Sequence, residues 1–160
     1  CRAVEKISRL NIAEPADIVL ASAGTAANWI QSHKALFNAS RAVREDGRII
    51  LLAPCPEGIG DNRFRYWVTR PGIRDIYAGL RKAPEVLGQT ALSTRVRGAR
   101  TTLVTQMPPD DIRDLDIRTA PDVETAFREV LDELEPVLKR RPTYYLMPQA
   151  GQIVPFISQP

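Results

Sequence analysis

The sequence predicts an α/β domain of Rossmann-like, three-layer architecture with a mainly parallel sheet. Short, largely apolar runs at Asp17–Gly24, Arg48–Ala53 and Thr101–Thr105 lack the strict alternation of a half-solvated sheet, and read as strands buried on both faces. Segments with helical periodicity lie between them. Most of the connections carry the Gly and Pro of shaped loops. At 160 residues the chain is long enough for one domain, residues 1–160, with a sizeable core.

Taken in order, Arg2–Leu10 reads as a short amphipathic helix, and the chain's start at Cys1 reads as a boundary within a longer protein. The first strand ends in the small residues Ala21-Ser22-Ala23-Gly24. A helix is expected from about Asn28 to Asp46, with Trp29, His33, Leu36, Phe37, Ser40 and Val43 on the inner face and Gln31, Lys34, Asn38 and Arg41 on the opposite arc. Glu45-Asp46-Gly47 is expected to stop it, with Gly47 in the left-handed C-terminal position. The strand Arg48–Ala53 completes a βαβ unit with a right-handed crossover. After the loop Pro54–Gly60, helices are expected at about Asn62–Thr69, Pro71–Lys82 and Pro84–Val96. The strand Thr101–Thr105 follows, then a short helix near Asp110–Leu115 and a minor strand at Asp116–Arg118. Val123–Leu138 is the clearest helix: Val123, Ala126, Phe127, Val130, Leu131, Leu134 and Leu138 form one apolar stripe, and Asp122 suits the N-cap. Thr143–Met147 is the last strand, and Pro148–Pro160 reads as a closing loop.

Ligands of such sheets sit beyond the carboxyl ends of the strands. The segments Ser22–Asn28, Pro54–Asp61, Gln106–Pro109 and Pro148–Gly151 therefore share one rim. Several chemistries are disfavoured there. A single histidine, His33, and two cysteines, Cys1 and Cys55, do not supply a catalytic metal set or a nucleophilic triad, so no catalytic and no metal-binding residue is assigned. His33 lies on the apolar arc of its helix and reads as a packed, hydrogen-bonded histidine. Two cysteines do not make a disulfide framework, which points to a reduced, cytoplasmic setting. No apolar run approaches membrane-spanning length, and the net charge of +3 is scattered apart from Lys139-Arg140-Arg141. Neither a membrane nor a nucleic-acid partner is expected.

Two motifs remain. Glu57-Gly58-Ile59-Gly60 has two glycines of a dinucleotide fingerprint, but Arg63 stands where the third belongs, and the carboxylate of Glu57 repels phosphate. Glu57, Gly58 and Gly60 are kept as candidate loop contacts, and a nucleotide- or anion-binding module without catalysis is kept as the alternative function. Asn28 and Gln31 have capping-box spacing, which gives Gln31 a structural role. Lys34 lies three residues further along, near the rim. An amide and an ammonium so placed can also hold a carboxylate, by a hydrogen bond and a point charge.

These segments resemble the C-terminal domain of the nickel-dependent lactate racemases. The likeness runs through Asp17–Gly24, Asn28–Ala35, Gly47–Ala53 and Glu57–Gly60 with Phe64. It continues through Ala120-Pro121, Glu124–Ala126 and Tyr145–Pro148 with Gly151 and Val154-Pro155. The resemblance implies one half of a two-domain enzyme that inverts a small 2-hydroxy acid by hydride transfer. In that family an N-terminal domain, absent from this sequence, holds a nickel pincer nucleotide and the acid–base histidines. The C-terminal domain closes over the substrate, and the Gln and Lys of the helix motif contact it. Those match Gln31 and Lys34. The partners implied are the missing N-terminal domain and a 2-hydroxy acid, and this domain alone is expected to hold no cofactor and to be inactive. Lactate-specific members carry Tyr directly before the Gln, where this sequence has Ile30, and many relatives carry His-Lys or an aromatic pair where it has Gly88-Gln89-Thr90-Ala91.

Overall fold

A computed structural model describes residues 8–158. The strands are β1 (Arg9–Ile12), β2 (Ala16–Ser22), β3 (Val43–Leu52), β4 (Thr101–Val104), β5 (Arg118–Thr119), β6 (Tyr144–Met147) and β7 (Val154–Ile157). The helices are α1 (Trp29–Ala39), α2 (Asn62–Val68), α3 (Ile73–Lys82), α4 (Val86–Gly98), α5 (Pro109–Leu115) and α6 (Val123–Leu138). Five strands form a parallel sheet in the order β5-β4-β3-β2-β6. The chain steps outward from β2 to β5 and then returns to the far side of β2, so the topological switch point lies between β2 and β6. This is a Rossmann-like three-layer fold.

Alternate side chains of the buried strands serve opposite layers. Val19, Ala21, Ile49, Leu51 and Leu103 pack against Trp29 and Leu36 of α1, Phe64 and Trp67 of α2, Ile76 of α3, Ala91 of α4 and Leu115 of α5. Ile18 and Ile50, with Leu20, Leu52 and Val104, face α6, whose Ala126, Val130 and Leu134 are buried. The stripe expected on that helix is the one that packs, and the Asp122 carboxylate accepts the Thr125 N–H at 2.7 Å.

Several expected elements are corrected. The first long helix ends at Ala39, not Asp46. Ser40 donates its hydroxyl to the Phe37 carbonyl at 2.7 Å, and a turn then delivers Val43 to the sheet beside Ala16. Pairing then jumps from Ala16↔Val43 to Ile18↔Arg48, so Arg44–Gly47 bulge from the ladder rather than cap a helix. Gly47 is needed there for close approach, not for a left-handed conformation: a Cβ would lie 2.5 Å from the Asp17 carbonyl. Asn38 is buried rather than on the solvent arc, and Phe37 is 40% exposed rather than inside. Leu10 is in β1, and the rest of the expected Arg2–Leu10 helix lies largely outside the described residues. The closing segment contains β7, which pairs in parallel with β1 apart from the main sheet. The minor strand falls at Arg118–Thr119 because Asp116 takes a left-handed conformation, φ 53°.

Asp17 ties the amino ends of the strands together. Its side chain is 3% exposed and accepts both Arg140 Nη atoms, at 2.7 and 2.9 Å, and the N–H and hydroxyl of Thr143, at 2.7 and 2.8 Å. Among the described residues no helix is long and apolar enough to cross a membrane.

Candidate functional site

The rim at the carboxyl ends of the strands is stitched into one piece. Ala23 N–H donates to the Leu52 carbonyl at 2.8 Å, Ala53 N–H to Val104 at 3.0 Å, and Gln106 N–H to Pro54 at 3.0 Å. Across the switch point, Ala150 N–H donates to the Ser22 carbonyl at 3.1 Å, and the buried Asn38 amide donates to the Ala150 carbonyl at 2.7 Å. The last turn of α1 and the turn after β6 are thereby held side by side.

Gln31 stands in the first turn of α1. Its N–H donates to Asn28 Oδ1 at 3.2 Å, and its Oε1 accepts the Ala27 N–H at 3.1 Å, one residue beyond the usual capping-box partner. The structural role read from the spacing is present. The side-chain oxygen is engaged, and the exposed side chain retains its NH2 as a donor. Lys34 is exposed and makes no ion pair among the described residues. It lines a shallow cavity of about 370 Å³ with His33, Phe37, Asn38, Gly151 and Val154. His33 Nε2 lies 2.8 Å from the Ser93 hydroxyl. Burial, with the nearby Arg97 charge, pushes its pKa down to about 4, so the ring is neutral at pH 7.

The glycine loop joins Gln31 through Ala27, whose carbonyl accepts the Glu57 N–H at 2.9 Å. Gly58 and Gly60 have φ of 68° and 97°, conformations that favour glycine. The loop amides point into the protein: Gly58 N–H donates to the Cys55 carbonyl at 2.9 Å, and Ile59 N–H to Asp111 Oδ2 at 2.9 Å. Asp111 also pairs with Arg65. The chain's own acceptors, the Asp111 carboxylate and the Cys55 carbonyl, thus take donors that a phosphate would use, which weighs against the nucleotide-binding alternative. Glu57 is exposed, Gly58 is buried, and Gly58 also accepts the first N–H of α1 from Trp29 at 3.0 Å. The loop therefore positions the helix that carries Gln31 and Lys34.

Comparison with solved structures gives a fold relative. The lactate racemase apoprotein from Thermoanaerobacterium thermosaccharolyticum superposes with a TM-score of 0.78 at 20% identity, covering 98% of this chain and 39% of that one. The fold is lactate racemase-like. A protein of known structure from Thermotoga maritima matches with a TM-score of 0.52 at 11% identity, covering 99% of this chain and 41% of that one. The chain thus spans about two fifths of either relative. No protein-family model and no curated protein sequence matches it.

Within this lactate racemase-like fold, the structure brings Lys34 together with Gly151, and Gln31 together with Glu57 by way of Ala27. Ile30 is half-buried and packs on the core away from the cavity lining. Gly88 lies in α4, where a Cβ would meet the Trp67 ring at 2.9 Å, so close packing accounts for that glycine. The reading of the sequence missed Phe37 and Asn38 as cavity residues. The burial of Asn38 and the exposure of Phe37 depend on contacts with the distant Ala150 segment, which no local pattern signals.

Proposed function

We propose that this chain is the substrate-closing domain of a 2-hydroxy acid racemase or epimerase, in which Gln31 and Lys34 hold the substrate carboxylate. The observation that carries the reading is the pairing of an unpartnered cation, Lys34, with the amide of Gln31 on the first two turns of α1. That helix start sits at the carboxyl rim of a lactate racemase-like fold, beside the topological switch point. Lys34 contributes a point charge, and the Gln31 NH2 contributes a directed hydrogen bond. Because Gln31 Oε1 is anchored to Ala27 N–H, the amide is preorganised with its donor side outward.

A nickel pincer nucleotide would supply the hydride acceptor in such an enzyme. The described residues include no group of three His, Cys, Asp or Glu side chains suited to a metal. The described side chains therefore do not fit that metal, and the reading places the cofactor and the acid–base groups in a neighbouring domain. The contribution of this chain is orientation: fixing the carboxylate leaves the α-carbon directed away from α1.

Racemisation of 2-hydroxy acids, followed by circular dichroism in a cofactor-charged protein containing this chain, tests the reading. Losing a charge-assisted contact lowers kcat/KM about 10- to 100-fold in Lys34→Ala. The melting temperature should stay unchanged, because Lys34 is exposed and bonds to nothing described. Full activity in that variant would remove Lys34 from the site.

A further inference from the structure

The cavity beside Lys34 has a composition that selects among acids. Its two buried or half-buried polar side chains on α1 are engaged within the protein. The Asn38 amide donates to the Ala150 carbonyl at 2.7 Å, and His33, neutral, is bonded to Ser93 at 2.8 Å. The nearby guanidinium groups are also engaged. Arg41 Nε donates to the Pro155 carbonyl at 3.2 Å. Arg97 bonds Ser40 and Ser93 at 2.9 and 2.7 Å and lies 4.6 Å from the Phe37 ring centroid. What faces the space is the 40%-exposed ring of Phe37, the side chain of Val154, the open edge of Gly151, the polar Ser8 and Gln152 at its border and one unpaired cation at the rim. A Cβ built on Gly151 meets nothing within 4 Å, so this wall is set back.

We infer that this cavity receives the side chain of a 2-hydroxy monocarboxylate whose tail is apolar and larger than methyl. The inference rests on the carboxylate site proposed above and adds the substrate class. With its carboxylate between Gln31 and Lys34, the acid lays its tail along the next turn of α1, over Phe37 and toward Val154. A cavity of about 370 Å³ is far larger than a methyl group needs, and a phenyl or branched aliphatic tail fits within it. A second carboxylate would find no free cation on this lining and would be desolvated against Phe37, which disfavours dicarboxylic hydroxy acids.

The test is calorimetric titration of the 160-residue chain with 3-phenyllactate, lactate and malate. Burying the ring should make 3-phenyllactate bind at least about ten-fold tighter than lactate. Gly151→Leu, which fills the set-back wall, should bring the two affinities within about two-fold of each other. Lys34→Ala should weaken both acids, and thermal melts of both variants report whether the fold is retained. Equal affinities for lactate and 3-phenyllactate, both dependent on Lys34, would overturn the tail site and leave the carboxylate site standing. Preference for malate would likewise overturn it. Acids that do not bind, or bind without regard to Lys34, would overturn both readings.

Discussion

His33 and Asp17 show how one residue's surroundings decide its chemistry. His33 precedes Lys34 on α1, with its ring centroid 6.5 Å from that of Phe37, and desolvation followed by the Arg97 charge takes its pKa down to about 4. In the unfolded chain it titrates near pH 6.5. Between these values the unfolded state binds more protons, so stability is full above about pH 6.5 and falls as pH drops toward 4. The loss amounts to about 3 kcal/mol. Asp17 acts in a lower window. The hydrogen bonds of Arg140 hold its carboxyl well below the usual range, with those of Thr143 adding to them against the cost of burial. Its contribution is complete above about pH 4 and is lost as pH falls further. Urea unfolding at stepped pH should therefore show two acid limbs. His33→Gln should flatten the first and Asp17→Asn the second, and a first limb that survives in His33→Gln would show that His33 is not buried as a neutral ring.

At the scale of elements, backbone conformation at the ends of helices and loops is the discriminating feature. Helix α6 ends on Lys139 with φ of 54°, a left-handed cap held by a 3.0 Å bond from its N–H to the Glu135 carbonyl. Glycine takes that conformation without strain, so Lys139→Gly should raise stability by about 0.5–1 kcal/mol in chemical denaturation. Gly58 poses the reverse case. It has φ of 68°, and a Cβ there would sit 1.9 Å from Asp111 Oδ2, the atom that anchors the loop. Gly58→Ala should lower stability by at least about 1–3 kcal/mol and loosen the start of α1, where Trp29 N–H bonds the Gly58 carbonyl. Because that loop sets the helix bearing Gln31 and Lys34, amide exchange at Trp29 should quicken in the same variant.

At the scale of the whole molecule, the sheet couples two unequal layers. One face is covered by α1 to α5 together, the other by α6. Ile50 and Leu51 are neighbours in β3 and face opposite layers, yet both are fully buried. Truncating Ile50 opens a cavity under α6 and should cost roughly 2–4 kcal/mol. Both tryptophans, Trp29 and Trp67, lie in the opposite layer. Because one set of strands serves both layers, tryptophan fluorescence should report the full loss in Ile50→Ala and coincide with far-UV circular dichroism. Separate transitions would mean that the layers unfold independently.

The sequence alone determined the order of the main-sheet strands and of the helices between them, the apolar stripe of α6, the Asp122 and Asn28 caps, and the common edge at which the parallel strands end. These follow from local periodicity, from caps that span three residues, and from the rule that parallel strands end at a common edge. It misread the stretch from Ser40 to Gly47, because the polar run Arg44-Glu45-Asp46 continues a helical pattern while its real determinant is Val43 pairing with Ala16, 27 positions earlier. It also missed β1 and β7, whose residues form a ladder only because the two ends of the described chain meet. Only the tertiary structure decided that the Gly58 loop turns the Ile59 amide onto Asp111, 52 positions away, and that Lys34 borders a cavity with Gly151. Contacts of that kind depend on which distant groups the fold brings within hydrogen-bond reach, and no local pattern in the chain encodes them.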